Sequence, residues 1–386
     1  MQPRHQKGYL FKSSGWWFIR YCDTVVTGGE AKRVLIAKKL VPVSSEHRTK
    51  RSVQQVAEEF LKPINDGLVT PQSSMSTGEF VRTEYLPFVE REKRPSTAKG
   101  YRDIWNNHLN PRCGTMQLRD FRTVDGERLM RSLANGKLSR ASLYHIKALL
   151  SGVFKHALRL GILSGSNPVR DVSIPKAPAG RETQAYALEQ VLMILSLLPE
   201  RAATVVAVAA FSGLRKGEIR GLLWEHYNGS DVRVMQSIWK THVTEPKTRM
   251  SKAAVPVIPL LGERLDRFKA SIGNPESGLI FAGGNGSPLN LDNLARREIK
   301  PVIERAGIPW FGWHAFRRGL ATNLYSLGVS DKVIQTVLRH AQVSTTMNLY
   351  VKGVPKEAAA AMELLQRTCS NLAVNQLSQE PSKLVN

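Results

Sequence analysis

The sequence predicts a multidomain, mainly α protein. Aromatic and β-branched runs that read as strands are concentrated in the first forty or so positions, whereas apolar residues at helical spacing dominate the rest of the 386-residue chain. Segments rich in Gly, Pro and small polar residues then divide the chain into regions, each long enough for its own core.

The first region, 1–64, is expected to be a small sheet with a helix. The runs GYLFK (8–12), GWWFIRYC (15–22) and KRVLIAKKL (32–40) are separated by Ser13-Ser14-Gly15 and by Gly28-Gly29, which is turn chemistry, so three antiparallel strands are predicted. A helix follows. Ser52 and Gln55 are read as its capping box, Val53, Val56, Ala57, Phe60 and Leu61 as its apolar face, and Pro63 as its end. Asn65 to Thr77 reads as a linker.

Residues 78–175 are expected to form a helical bundle. Tyr101, Ile104, Trp105 and Leu109 share one face behind a Ser96/Thr97 cap, and Asn110-Pro111 is predicted to end that helix. Leu143, Ile146, Leu150, Val153, Phe154, Ala157 and Leu158 mark a longer helix, entered at Ser139 and left at Gly161. Ser173 to Thr183, with Pro175, Pro178 and Gly180, reads as an extended basic linker. Residues 184–366 are mixed but mostly α, with a small β-sheet between Val232 and Pro259. Its strands are expected at Val232 to Lys240 and Ala253 to Ile258. Residues 367–386 form a tail without a clear pattern.

Composition narrows the partners. Lys plus Arg number 55 against 32 acidic residues, a formal charge of +23 and a pI near 10.2, which favours polyanions through counterion release. Between Arg82 and Arg181 there are 19 basic and 8 acidic residues, giving +11. Nucleic acid is the partner that this balance suits. Cys22, Cys113 and Cys369 are scattered and have no C-x-x-C spacing, so no disulfide framework or zinc ribbon is predicted. No cofactor or metal is expected. The strongest apolar stretch, Ala202 to Phe211, is far shorter than a membrane helix, and MQPRHQKGY is no secretory signal, so a soluble, cytoplasmic protein is expected.

Candidate chemistry lies in the last region. Arg215 in GLRKGEI, Lys247 in TEPKTRMSKAAVPV, His314 and Arg317 in HAFRRGLAT, and His340 and Tyr350 in LRHAQVSTTMNLY occur in that order. Cleaving a phosphodiester requires cations on the phosphorane oxygens and a proton for the leaving oxygen. Arginine suits the first task because its planar fork meets two oxygens and keeps its charge. His314 and Arg317, at i and i+3, point the same way on a helix, where a histidine can hold or move a proton near neutral pH. A lysine on a hairpin tip could protonate a 5′ oxygen. Lys240, Arg249 and Lys252 compete with Lys247 for that role.

This order resembles the active site of the tyrosine recombinases, the phage integrase family. The resemblance implies that Arg215, Lys247, His314, Arg317 and His340 surround the scissile phosphate and that Tyr350 is the nucleophile. Glu218 matches an acidic position that supports the arginine and the histidine without touching substrate. Lys216 and Gly217 after Arg215 are mild departures. Arg339 stands where the family usually has Gly, and is open to two readings, a phosphate contact or an exposed side chain.

The resemblance covers residues 184–366 closely. Residues 78–175 look like the family's core-binding (SAM-like) domain, and 1–64 are similar in outline to an arm-type DNA-binding module. It implies a 3′-phosphotyrosyl intermediate, a Holliday junction and a homotetramer on two synapsed attachment sites of double-stranded DNA. It implies no ATP or metal, and it admits accessory DNA-bending or directionality proteins. The expected setting is a phage or other mobile element acting on the bacterial nucleoid, with residues Pro355 to Gln366 packing on a neighbouring protomer. A type IB topoisomerase and a non-catalytic DNA-binding protein are the competing readings.

Overall fold

The computed structural model describes residues 5–339 apart from 29, 67–68, 137, 181 and 246–253. The chain divides after residue 181 into two compact units. It is mainly helical, and the N-terminal unit begins with a three-stranded antiparallel sheet in the order β1-β2-β3, formed by Tyr9–Ser13, Trp16–Thr27 and Glu30–Pro42. Ser14 and Gly15 link the first two strands with φ of 47° and 76°, the paired left-handed conformation of a type I′ hairpin turn. Trp17, Ile19 and Tyr21 alternate onto the buried face, against Val53, Ala57 and Leu61 of helix α1 (Lys50–Asn65).

Three local expectations shift here. The capping box uses Thr49 and Ser52 instead of Ser52 and Gln55: the Thr49 hydroxyl accepts from the Ser52 N–H at 3.3 Å, and Ser52 returns the bond at 3.2 Å. Pro63 lies inside the last turn, since α1 continues to Asn65. The hairpin of β2 and β3 is also longer than its aromatic cores, because its far end docks on the helices of the same unit. Val26 is buried in their core, its N–H bonds the Ser74 hydroxyl at 2.9 Å, and Asp23 is paired with Arg119. Part of the expected linker is therefore built in: Pro71–Ser74 form a 3-10 turn with Ser73 and Ser74 buried.

The rest of the N-terminal unit is a bundle of α2 (Thr77–Phe80), α3 (Leu86–Glu92), α4 (Pro95–Ile104), α5 (Asn110–Cys113), α6 (Thr123–Asn135) and α7 (Arg140–Arg159). Asn110-Pro111 does not end its helix. The chain passes through a π turn, Trp105–Leu109, into α5 with Pro111 at its second position. Val81–Tyr85 precedes Pro87 in the same way. Proline lacks an N–H and crowds the carbonyl four residues back, and the wider i→i+5 turn before it absorbs both defects. Helix α7 has the Ser139 cap that its sequence predicts, the hydroxyl accepting from the Ser142 N–H at 3.3 Å.

The C-terminal unit is built around α9 (Glu200–Phe211), in which Ala202 to Ala210 are all buried. A helix apolar all round belongs in a core. Helices α8 (Leu188–Leu197), α11 (Pro259–Ser271) and α14 (Trp313–Ser326) pack on it. Shorter helices complete the unit: α10 (Lys216–Arg220), α12 (Leu291–Leu294), α13 (Lys300–Arg305) and α15 (Asp331–Leu338). A third π turn, Ala295–Ile299, precedes Pro301.

The expected small sheet is two separate ladders among the described residues. β4 (Asp231–Arg233) pairs with β7 (Ala254–Pro256), and β5 (Ser237–Trp239) with β6 (His242–Thr244). The predicted strand Val232 to Lys240 breaks because its middle lies across α10. A β-carbon at Gly221 would stand 2.7 Å from the Gln236 carbonyl oxygen, and one at Gly217 would stand 2.6 Å from the Ser237 hydroxyl. The same approach accompanies the end of α10 at Arg220. Lys240 turns the second ladder at φ 53°. The expectation that Lys247 sits on a hairpin tip falls on residues 246–253, outside the described residues.

No described helix is long and apolar enough to cross a membrane.

Candidate active site

The site begins where α9 ends. Gly213 takes φ 61°, a conformation that side chains resist, and lets the chain turn back over Leu320 and Leu338; a β-carbon there would meet both side chains at 3.0 and 2.9 Å. Two residues later Arg215 is the N-cap of α10, and Glu218 in the first turn reaches back to it. The Arg215 N–H donates to Glu218 Oε2 at 2.9 Å, and the Arg215 guanidinium donates to Oε1 at 2.9 Å. The N-cap pairing thus also fixes the direction of the arginine fork. The Arg215 side chain keeps about a third of its surface exposed, while Glu218 is buried.

Arg317 comes to the same place from the first turns of α14. It is buried, and its guanidinium donates to the carbonyl oxygens of Gly213 and Leu338. Burial pushes its pKa down to about 9, with the Arg215 and Arg339 charges adding to the fall and Glu218 opposing it, so it remains cationic at neutral pH. His314, one turn earlier, is exposed at the edge of the cluster, so the i, i+3 pair shares a face but not a depth. Partial burial of its ring and the charges of Arg317, Arg318 and Arg215 hold its pKa down to about 4, leaving the imidazole neutral at pH 7. A neutral ring can donate from one nitrogen and accept at the other. A bound phosphate would draw a proton back onto it.

Arg339 corrects the reading of an exposed side chain. It is neither exposed nor turned outward: it is 3% exposed and donates to Glu218 Oε2 at 2.8 Å. It follows α15 in a left-handed conformation, φ 54° and ψ 43°, which costs a non-glycine residue about 1–2 kcal/mol. Burial of Glu218 by itself favours its neutral acid. Arg339, the Arg215 N–H and the Arg215 guanidinium outweigh that and hold its pKa below the ordinary value, so the carboxylate stays charged. Three guanidinium groups thus gather around one buried carboxylate.

An open cleft of about 610 Å³ adjoins this cluster. Lys216, Arg296, Lys300, His314 and Arg318 line it together with Trp310 and Trp313. Lys216 is paired with Asp292 at 2.9 Å, and Arg318 donates to the Gln184 carbonyl at 2.7 Å. Cations beside aromatic faces suit a nucleic-acid strand.

The structure brings Arg215, Glu218, His314 and Arg317 together. Lys247, His340 and Tyr350 lie outside the described residues, as does Pro355 to Gln366. One contributor was missed from sequence, Arg220, and the bond of Arg339 to Glu218 was not read there. The Arg220 guanidinium donates to the carbonyls of Leu289, Ile238 and Lys240 at 2.9, 3.1 and 2.9 Å, clamping the β5-β6 ladder beside the segment that carries Lys247. Nothing in the pattern around Arg220 distinguishes it from a surface residue. For Arg339 the one signal was a charged side chain standing where the resembling family usually has Gly.

Residues 183–357 match the model of the phage integrase family. The chain is 26% identical over 379 residues to a tyrosine recombinase XerC-like protein of Caldanaerobacter subterraneus subsp. tengcongensis, covering 89% of this chain and 95% of that one. It is 24% identical over 328 residues to an integrase of Streptomyces ambofaciens, covering 80% and 84%. In fold it is similar to the Tn1549 transposon integrase solved with transposon right end DNA, with a TM-score of 0.63 at 17% identity, covering 76% of this chain and 100% of that chain. It is also similar to lambda integrase from a tetramer bound to a Holliday junction, with a TM-score of 0.57 at 17% identity, covering 90% and 95%. Residues 183–357, somewhat under half of the chain, thus match that family's model, and over most of its length the chain is similar to proteins called tyrosine recombinases and integrases.

Proposed function

We propose that this chain is the site-specific integrase of a phage or other mobile element, joining and excising DNA at attachment sites in the cytoplasmic nucleoid. The observation that carries the reading is the convergence of Arg215, Glu218, Arg317 and His314 from segments about a hundred residues apart onto one cationic, partly open site.

In the proposed reaction Arg215 and Arg317 hold the non-bridging oxygens of the scissile phosphate, with His314 and His340 hydrogen-bonded beside them. The Tyr350 hydroxyl attacks phosphorus and forms a 3′-phosphotyrosyl bond. The bond to the 5′ oxygen breaks, and Lys247 supplies that oxygen with a proton. Tyrosine's ordinary pKa is near ~10, so the surrounding cations must favour its ionised form as it attacks. Because the phosphodiester energy is kept in the enzyme linkage, the 5′ hydroxyl of a partner duplex can reverse the step on a new strand without ATP. Two such pairs of exchanges pass through a Holliday junction within a homotetramer.

Residues 184–366 are the proposed catalytic domain, 78–175 the core-binding domain and 1–64 the arm-type DNA-binding module, with 367–386 as a tail. The outer face of the sheet supports the last assignment: Phe11 and Phe18 stack at 5.5 Å, with the Arg20 guanidinium 5.1 Å from the Phe11 ring centre. The names of the transposon and lambda integrases similar to this chain support the mobile-element reading.

The test is a supercoiled plasmid carrying DNA from both flanks of the chain's own gene. Crossover products, resolved by junction sequencing, are expected. Relaxation of supercoils without crossover would instead assign a type IB topoisomerase-like activity.

A further inference from the structure

We propose that Arg339 is a positioning residue of the cleavage step, acting through Glu218 to hold the Arg215 fork and to anchor the chain as it enters the His340 to Tyr350 segment. The inference rests on the proposed strand-cleaving role of Arg215, Arg317 and Tyr350.

A closed circuit of contacts leads to it. Arg317 donates to the Leu338 carbonyl and to the Gly213 carbonyl. Gly213 leads through Leu214 to Arg215, whose backbone and guanidinium are both held by Glu218. Glu218 accepts from Arg339 at 2.8 Å, and Arg339 follows Leu338 in the chain. Three of these links cross between elements, Arg317 to Gly213, Arg317 to Leu338 and Arg339 to Glu218, so neither α14 nor the end of α15 can shift against α10 without breaking a buried charge-assisted bond.

Arg339 is the link with a visible cost. Its left-handed backbone is one that a glycine adopts without strain, so backbone conformation alone does not account for an arginine there. What the side chain adds is the bond to Glu218, and both groups are 3% exposed. That bond occupies the same oxygen that receives the Arg215 N–H, while the other oxygen orients the Arg215 guanidinium. With Arg339 removed, the carboxylate loses the partner that opposes Arg215 and gains freedom to rotate. The fork that meets the phosphate then loses its fixed direction.

The experiment compares wild type, Arg339→Gly, Arg339→Lys, Glu218→Gln and the Arg339→Gly/Glu218→Gln double variant as full chains. Nicked duplexes tiled across the flanks of the gene are used, and the single-turnover rate of covalent adduct formation is measured separately from DNA affinity and its salt dependence. Arg339→Gly is expected to keep the fold, to slow adduct formation about 10- to 100-fold, as sub-ångström misplacement does, and to leave affinity and salt slope unchanged. Arg339→Lys should recover part of the rate. Arg339→Gly should add little to Glu218→Gln.

A wild-type rate in Arg339→Gly overturns the inference. So does a weaker affinity with a salt slope smaller by about one, which would make Arg339 a phosphate contact. Independent, multiplying effects of the two substitutions also overturn it, as does a rate loss that disappears on cooling along with a lowered unfolding midpoint. Absence of any wild-type adduct across the tiled DNA overturns the strand-cleaving reading, and the inference with it. A wild-type adduct with an unaffected Arg339→Gly rate removes the inference alone.

Discussion

Arg317 donates from α14 to the carbonyl oxygen of Leu338, the last residue of α15, and so ties the helix before the His340 to Tyr350 segment to the buried core. A second bond from the same guanidinium, to Gly213, fixes the turn that presents Arg215. The residue proposed to neutralise phosphate charge is therefore also a structural clamp.

Arg317→Ala should then cost both stability and cleavage. It removes a buried cation from two carbonyls, at about 1.5–3 kcal/mol for each charge-assisted bond, and leaves a cavity. Denaturant unfolding is expected to show a loss of about 3 kcal/mol or more, with no detectable adduct. Arg317→Lys, which keeps the charge but not the fork, should fall between Ala and wild type in stability. An unfolding midpoint for Arg317→Ala equal to wild type would contradict the clamp.

The pH dependence follows from His314. Its folded pKa is about 4, below the roughly 6.5 of an unfolded histidine. The folded state therefore binds fewer protons across that interval, and the stability that His314 contributes is complete above about pH 6.5 and lost as pH falls toward 4. Relative to wild type, His314→Gln should flatten the fall in unfolding midpoint across this window. The effect is small because the ring is solvent-exposed. Parallel curves for the two proteins between pH 6.5 and 4 would contradict the assignment.

Two glycines separate backbone strain from crowding. Both Gly213 and Gly312 have positive φ, at 61° and 83°, but only Gly213 has neighbours where a β-carbon would stand. Gly312→Ala should cost about 1–3 kcal/mol from the backbone alone, because φ 83° with ψ 163° is a region essentially confined to glycine, and should leave cleavage unchanged. Gly213→Ala should cost about 2–3 kcal/mol and slow cleavage, because Leu320 and Leu338 must also give way. Equal cleavage rates in the two variants would show that the contacts of Gly213 are not limiting.

Docking of the β2-β3 hairpin gives a fourth prediction. Ser74→Ala removes the acceptor of the buried Val26 N–H, at about 1–3 kcal/mol. Amide exchange at Val26 should quicken, while Ile19, buried against α1, should keep its protection. Equal acceleration at both residues would mean that the hairpin end and the sheet open as one.

Much of this was legible because it is local. Ser139 and the apolar face behind it defined α7. The three-residue spacing of Arg215 and Glu218 suits a side chain returning to its own cap. What was not legible depends on distant contacts. Val26 continues β2 because Ser74, 48 residues away, receives its N–H. The strand predicted at Val232 to Lys240 breaks because Gly217 and Gly221 admit its backbone against α10. Pro111 carries the ordinary signal of a helix end, and only the preceding π turn lets the helix continue. Arg339 is buried by a carboxylate 121 residues earlier, which no local pattern reports.

The central claim is strand cleavage by Tyr350, and a covalent trap tests it most directly. Wild type and Tyr350→Phe are incubated without magnesium or ATP with nicked duplexes tiled across the DNA flanking the gene, then resolved on denaturing gels. A protein–DNA adduct in wild type alone, mapped by peptide sequencing to Tyr350, is the predicted result, and its position on the DNA locates the crossover site. An adduct of equal yield in Tyr350→Phe would place the nucleophile elsewhere and contradict the account.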